Sequence, residues 1–180
     1  VRRWTYKSED AALTDVLRLS EAMTYKAASA DLPMGGAKSV IWTDSRNEEP
    51  SEAHARAMGR FIERLGGVYI GAEDVGVNTQ YIDWMAQETK YVMGGEKVAR
   101  GGDPAPYTAL GVISGMRGGL KHLGESTSLK GRTIAIQGLG ALGANVARIA
   151  SAEGATVYGA DIRQERVDRV VKDYGVKPVP

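Results

Sequence analysis

The chain has 180 residues and no cysteine. That excludes a disulfide framework, a thiolate metal site and a cysteine nucleophile. It has only two histidines, His54 and His122. They fall in different helical segments, so no zinc-binding spacing is present and no metal is expected. Neither sign of charge dominates: 23 Lys and Arg stand against 22 Asp and Glu, a formal net charge of +1. Such a balance leaves no electrostatic footprint for a nucleic acid or a membrane surface. No apolar run approaches the roughly 20 residues that span a bilayer. The opening Val1-Arg2-Arg3-Trp4-Thr5-Tyr6 has no apolar core of the kind a signal peptide needs. A cytoplasmic setting is expected from these absences. What the chain has in quantity is glycine, 23 residues gathered at a few turns. With 43% hydrophobic and 25% charged residues the rest is ordinary globular composition, and the length suits one domain or pieces of two.

A helix is predicted after Ser8, with Glu9 and Asp10 in its first turn and Leu13, Val16, Leu17 and Met23 on one stripe. It should end near Ala30, ahead of Asp31-Leu32-Pro33. A Gly35-Gly36 turn and a short strand over 39–42 follow, then a polar loop over 44–49. The pattern next predicts a helix from a Ser51 cap to Leu65, stopped by Gly66-Gly67. A strand over 68–70 should lead into Ala72-Glu73-Asp74-Val75-Gly76, and Thr79 should cap a helix through Glu88. Residues 94–106, rich in Gly, Pro and charge, read as a domain junction. A helix over about 106–123 opens the second part. After it come a strand over 133–137, a helix through Ala152, a strand over 155–160 and a helix over about 164–173.

Strand, glycine turn, helix, strand and acidic residue make up one half of a dinucleotide-binding fold, of which the chain is expected to reach two strands. Each part of Gly138-Leu139-Gly140-Ala141-Leu142-Gly143 has a mechanical reason. Gly138 permits the tight turn off the strand. Gly140 lets a pyrophosphate approach the backbone, and Gly143 lets the helix pack close to the sheet. The phosphates would then meet the free amides of that helix's first turn. Asp161, at the end of the next strand, stands where an acid bonds the adenine ribose and repels a 2′-phosphate, so NAD is expected over NADP. Arg163, two residues on, could soften that preference.

Met23-Thr24-Tyr25-Lys26, then Leu32-Pro33-Met34-Gly35-Gly36-Ala37-Lys38, then Ala72-Glu73-Asp74-Val75-Gly76 and Gly102-Asp103-Pro104-Ala105-Pro106-Tyr107-Thr108 occur in that order ahead of the glycine fingerprint. In this the chain resembles the amino-acid dehydrogenases that act on leucine, valine, phenylalanine or glutamate, over nearly its whole length. The resemblance implies an α/β protein with a substrate-binding and dimerisation lobe over 1–104, followed by an incomplete Rossmann-type NAD domain over 105–180. It implies that Lys26 pairs with the substrate carboxylate and that Lys38 and Asp74 are catalytic, Lys38 as general base. A lysine serves as a base only where burial or a neighbouring cation favours its neutral form; the second lysine is expected to help. Thr108 would contact the nicotinamide amide, against the alternative of a helix hydroxyl bonding back to its own backbone. The implied reaction is reversible oxidative deamination of an amino acid by NAD in a homo-oligomer.

Ser39-Val40 follows Lys38 where the glutamate enzymes typically have glycine, which favours an apolar side chain. Asp103 resembles the phenylalanine branch and Ala72-Glu73-Asp74-Val75-Gly76 the leucine branch, so leucine, valine and phenylalanine all stay open. Glutamate within the same family, or a non-catalytic dinucleotide-binding module, are the alternatives. Family members are roughly twice this length. The expectation is therefore that an N-terminal glycine-pair segment and the later nucleotide-domain strands are missing here.

Overall fold

The structure is a computed structural model and describes residues 1–45, 49–97 and 102–180. The expected 44–49 loop and 94–106 junction lie partly outside the described residues. The chain divides into two compact units, Val1–Asp103 and Pro104–Pro180.

The first unit holds strand β1 (Arg2–Trp4), helix α1 (Glu9–Ser29), β2 (Val40–Trp42), α2 (Glu52–Arg64), β3 (Gly71–Ala72), α3 (Thr79–Met85) and β4 (Val92–Met93). β1 pairs in parallel with β2, and β3 in parallel with β4. The Arg2 amide donates to Ser39 O and the Arg3 amide to Val75 O, each at 2.9 Å. β1 therefore runs between the segment that enters β2 and the segment that leaves β3. The caps of α1 and α2 lie at Ser8 and Ser51 as the sequence predicts, their hydroxyls accepting from Ala11 and His54 amides.

Three expectations are corrected here. The strand after α2 begins at Gly71, not Val68. Gly66 and Gly67 take φ of +59° and +93°, and the turn they make runs on through Val68, whose amide bonds back to Leu65 O. Val68 is left 91% exposed. The third helix is capped by Asn78, whose Oδ1 accepts from the Tyr81 amide at 3.0 Å, and it ends at Met85. On α1 the apolar stripe is not the core face: Leu13 and Leu17 are exposed, and Ala12 and Ala27 are the buried residues. Small side chains let other backbone approach that helix closely, which a leucine face would prevent. The core of this unit is Ala55 and Ile62 of α2, Tyr81, Ile82 and Met85 of α3, and Val77 and Val92.

The second unit holds α4 (Ala105–His122), β5 (Thr133–Gln137), α5 (Ala141–Ala152), β6 (Thr156–Ala160), α6 (Gln164–Tyr174) and β7 (Lys177–Pro178). Its sheet is parallel in the order β5-β6-β7, which corrects the expectation of two strands. Two residues ending in proline carry no periodicity. Their pairing with Tyr158 and Gly159 comes from the sheet, at an edge where a missing N–H is tolerated. Leu139, Ala147, Ala150, Val157 and Val170 form the core beneath the glycine turn.

Candidate active site

In the first unit the β1 pairing brings three charged residues together. Lys38 Nζ lies 3.1 Å from Asp74 Oδ2, with side chains 13% and 20% exposed. Arg2 Nε reaches the same oxygen at 3.0 Å. Arg2 Nη1 extends the other way to Asp15 Oδ2 on α1 at 3.2 Å, and the Tyr6 hydroxyl donates to that oxygen at 2.7 Å. Burial alone would push Asp74 up. The Val75 backbone N–H, Lys38 and Arg2 outweigh it and hold the carboxyl below its ordinary value of 3.8. Burial and then the Asp15 hydrogen bond push the Tyr6 hydroxyl up to about 12. Asp74 leaves the carboxyl end of β3, the edge at which α/β proteins collect ligand groups. Gly76, at φ +76°, closes the turn after it. A Cβ there would run into the Arg3 carbonyl, so glycine is required for Asp74 to approach β1.

The close neighbour of Lys38 is thus a carboxylate rather than the second lysine that the sequence suggests. Lys26 lies exposed in the last turn of α1 and makes no ion pair or hydrogen bond among the described residues. What joins the two lysine segments is Gly36. Its amide donates to Thr24 Oγ1 at 3.1 Å, and a Cβ on it would collide with Thr24 N and Ser20 O of α1. The glycine pair therefore seats the Lys38 segment on the helix that carries Lys26, while Gly35 has open space around it. Beside Lys38 and Ser39 lies an apolar cleft of about 260 Å³, walled by Met58, Phe61, Ile62 and Leu65 and by Tyr69. The Ser39 and Tyr69 hydroxyls, both in its lining, share a hydrogen bond of 2.8 Å.

In the second unit Gly138 has φ +90°. Gly143 lies where a Cβ would strike the Gly138 carbonyl. At Gly140 a Cβ would meet only the flexible end of Arg166, at 3.6 Å, so the backbone there is open to a ligand. Gly140 is also the N-cap of α5 and supplies no side-chain cap. The amides of Ala141, Leu142 and Gly143 in the first turn are thereby left for an anion. The Leu139 side chain is fully buried, and its amide donates to Asp161 Oδ2 at 2.7 Å. Asp161 Oδ1 accepts from the Arg163 amide at 2.9 Å, and Arg166 Nη1 sits 3.4 Å from Oδ2. The Arg163 and Leu139 amides hold this carboxyl below its ordinary value. Thr108 donates its hydroxyl back to Pro104 O at 3.0 Å on α4 and is exposed; no described contact joins it to the glycine turn. The turn fits the pyrophosphate of a dinucleotide through Gly140 and the first turn of α5. Among the described residues no cluster of His, Asp or Glu could hold a metal ion.

Arg2, Asp15, Tyr6 and Arg166 were not singled out by sequence reasoning. The first three belong to a three-residue strand and to polar positions with no local signal. Arg166 had one: it follows an acidic strand end, the position from which an arginine can reach a cofactor phosphate.

Residues 1–91 match the family model described as Glu/Leu/Phe/Val dehydrogenase, dimerisation domain. Residues 115–180 match that of the D-isomer specific 2-hydroxyacid dehydrogenase, NAD binding domain. The chain is 44% identical over 179 residues to leucine dehydrogenase of Bacillus subtilis (strain 168), covering 99% of this chain and 49% of that protein. It is similar to the crystal structure of L-tryptophan dehydrogenase from Nostoc punctiforme, with TM-score 0.67, 36% identity and coverage of 99% and 49%. It is also similar to the hetero-hexameric glutamate dehydrogenase from Thermus thermophilus (Leu bound form), with TM-score 0.69, 25% identity and coverage of 93% and 46%. The chain spans about half the length of the curated relatives it matches. The dimerisation-domain model accounts for the unit that holds Lys38 and Asp74, and it covers half of the sequence. The chain belongs to the Glu/Leu/Phe/Val dehydrogenase family.

Proposed function

We propose that the protein carrying this chain catalyses the reversible, NAD-dependent oxidative deamination of an apolar L-amino acid, leucine, valine or phenylalanine, to the 2-oxo acid and ammonia. The observation that carries this reading is the contact between Lys38 and Asp74 at 3.1 Å at the end of β3. Residues 1–104 serve as the substrate-binding and dimerisation domain and residues 105–180 as the NAD-binding domain. Lys26, which makes no ion pair or hydrogen bond among the described residues, binds the substrate carboxylate. Asp74 takes a proton from the substrate ammonium, so that a neutral amine stands ready for oxidation at Cα. Gly138, Leu139, Gly140, Ala141, Leu142, Gly143, Asp161 and Thr108 would hold NAD, which when bound would supply the hydride acceptor. Once Asp74 carries that proton, Lys38 has lost the negative partner that favours its ammonium form and takes a proton from the water that adds to the imino carbon. Asp74 then returns its proton to the amine nitrogen. The C–N bond breaks as the added hydroxyl gives up its proton to solvent and becomes the carbonyl, and ammonia leaves. Self-association through the first unit fits its match to a dimerisation domain.

The test is NADH formation at 340 nm by the intact protein on leucine, valine, phenylalanine and glutamate. Turnover of an apolar amino acid that Lys38→Ala lowers by roughly 10² to 10⁴, the usual worth of a positioned base, supports the reading. A preference for glutamate would correct the substrate. NAD binding without turnover of any of the four would make the protein a dinucleotide-binding module.

A further inference from the structure

We propose that Arg2 is a positioning residue for this reaction: its guanidinium, anchored by Asp15 and Tyr6, holds the Asp74 carboxylate in place as the partner of Lys38. The inference rests on the proposed function and goes beyond it, because it concerns a residue that touches neither substrate nor cofactor in the mechanism above.

Arg2 spans two carboxylates with different nitrogens, Nε on Asp74 at 3.0 Å and Nη1 on Asp15 at 3.2 Å. A lysine would have to serve both carboxylates from a single nitrogen, without the fixed fork of the guanidinium. Asp15 is in turn fixed by the Tyr6 hydroxyl at 2.7 Å, and the Tyr6 ring packs edge-on against Trp42 of β2. Asp74 is thereby tied through Arg2 to β1, α1 and β2. The titratable groups around it are Lys38 ahead of β2, Arg2, Tyr6 and Asp15 toward α1, and Tyr69 after α2. Lys38 and Arg2 meet the same oxygen, but only Arg2 keeps its charge throughout. A guanidinium does not titrate in a protein, whereas Lys38 must change charge when it acts as a base. Each time Lys38 is neutral, Arg2 is the cation that remains on Asp74, so the side chain keeps its orientation both as a carboxylate and while it carries the substrate's proton. This assigns a role to the Arg2–Asp15–Tyr6 chain, which no reading of the family motif supplies.

The experiment is the pH profile of kcat/KM for the best amino-acid substrate of the intact protein, with Arg2→Gln and Arg2→Lys beside wild type and melting temperatures for all three. Arg2→Gln is expected to lower kcat by roughly tenfold or more and to move the acid limb to higher pH by about one unit or more. Loss of an adjacent opposite charge has that sign and size for a carboxylate. Arg2→Lys is expected to return the acid limb to within about half a unit of wild type while kcat stays several-fold low, since the second arm is lost. An acid limb unmoved in folded Arg2→Gln overturns the proposal. If Arg2→Gln does not fold, Arg2→Lys decides: wild-type kcat overturns it and a several-fold loss with an unmoved limb supports it. Failure of the wild-type protein to oxidise any amino acid would instead refute the proposed function, so the two failures are distinguishable.

Discussion

Replacing Gly36 by alanine adds one methyl group, yet the structure gives that methyl no room. Its carbon would fall on the α1 backbone, against Thr24 N and Ser20 O and 2.5 Å from the Met23 carbonyl carbon. Carbon atoms rest at about 3.5 to 4.0 Å, so the segment must withdraw from α1 by roughly 1 Å. The Gly36 amide then loses its bond to Thr24 Oγ1. Lys38 stands two residues on and must keep its 3.1 Å contact with Asp74, while Lys26 stands two residues beyond Thr24 on the helix that is pushed away. A misplacement of about 1 Å costs on the order of 10²-fold in rate when reacting groups must align, and overpacking of this kind costs about 1–3 kcal/mol of stability. Gly36→Ala should therefore lower kcat/KM for the amino acid roughly a hundredfold and depress the melting temperature. NAD affinity, which belongs to the second unit, should be unchanged by fluorescence titration. Gly35→Ala is the control: nothing lies within 4 Å of its Cβ, and the variant should behave as wild type. A Gly36→Ala protein with kcat/KM within threefold of wild type and an unshifted melting curve would refute the view that this glycine seats the lysine segment.

Further outcomes follow from the same contacts. Lys26→Ala should raise the KM for the amino acid at least tenfold with a smaller change in kcat, because it removes the charged partner of the substrate carboxylate, worth about 1.5–3 kcal/mol; an unchanged KM would place Lys26 outside the pocket. Asp161→Ser should narrow the gap between NAD and NADP by roughly 10-fold or more in kcat/KM, since it removes repulsion of the 2′-phosphate and frees Arg166 from its 3.4 Å contact; unchanged relative kinetics would rule Asp161 out as the selector. Asp74 titrates below its ordinary value of 3.8. Its ionised form therefore adds stability that is fully present above that value and is lost as the pH falls through the lower, folded one. Asp74→Asn should accordingly depress the melting temperature at pH 7, and the difference from wild type should shrink as the pH falls below 3.8 and through the lower, folded value. A difference independent of pH would show that the Asp74 charge is not stabilising.

What the sequence determined by itself was local or repetitive in kind. Ser8 and Ser51 were legible as caps because a cap is satisfied by amides within the next few residues. The turn from Gly138 to Gly143, the helix after it and the acid at the end of β6 were legible because each glycine has its own steric reason. Lys26, Lys38 and Asp74 stood out through family motifs, not through any property of a single lysine or aspartate. The tertiary structure decided what depends on distant partners. Strands of two or three residues such as β1, β4 and β7 have no periodicity and exist only through the ladders they join. Arg2 is 72 positions from Asp74 and meets it only because β1 pairs between the Ser39 and Val75 backbones. The carboxylate beside Lys38, the alanine face of α1 and the contact that makes Gly36 indispensable likewise arise when separate segments close-pack. There the fit of one atom against another, rather than the pattern along the chain, sets the outcome.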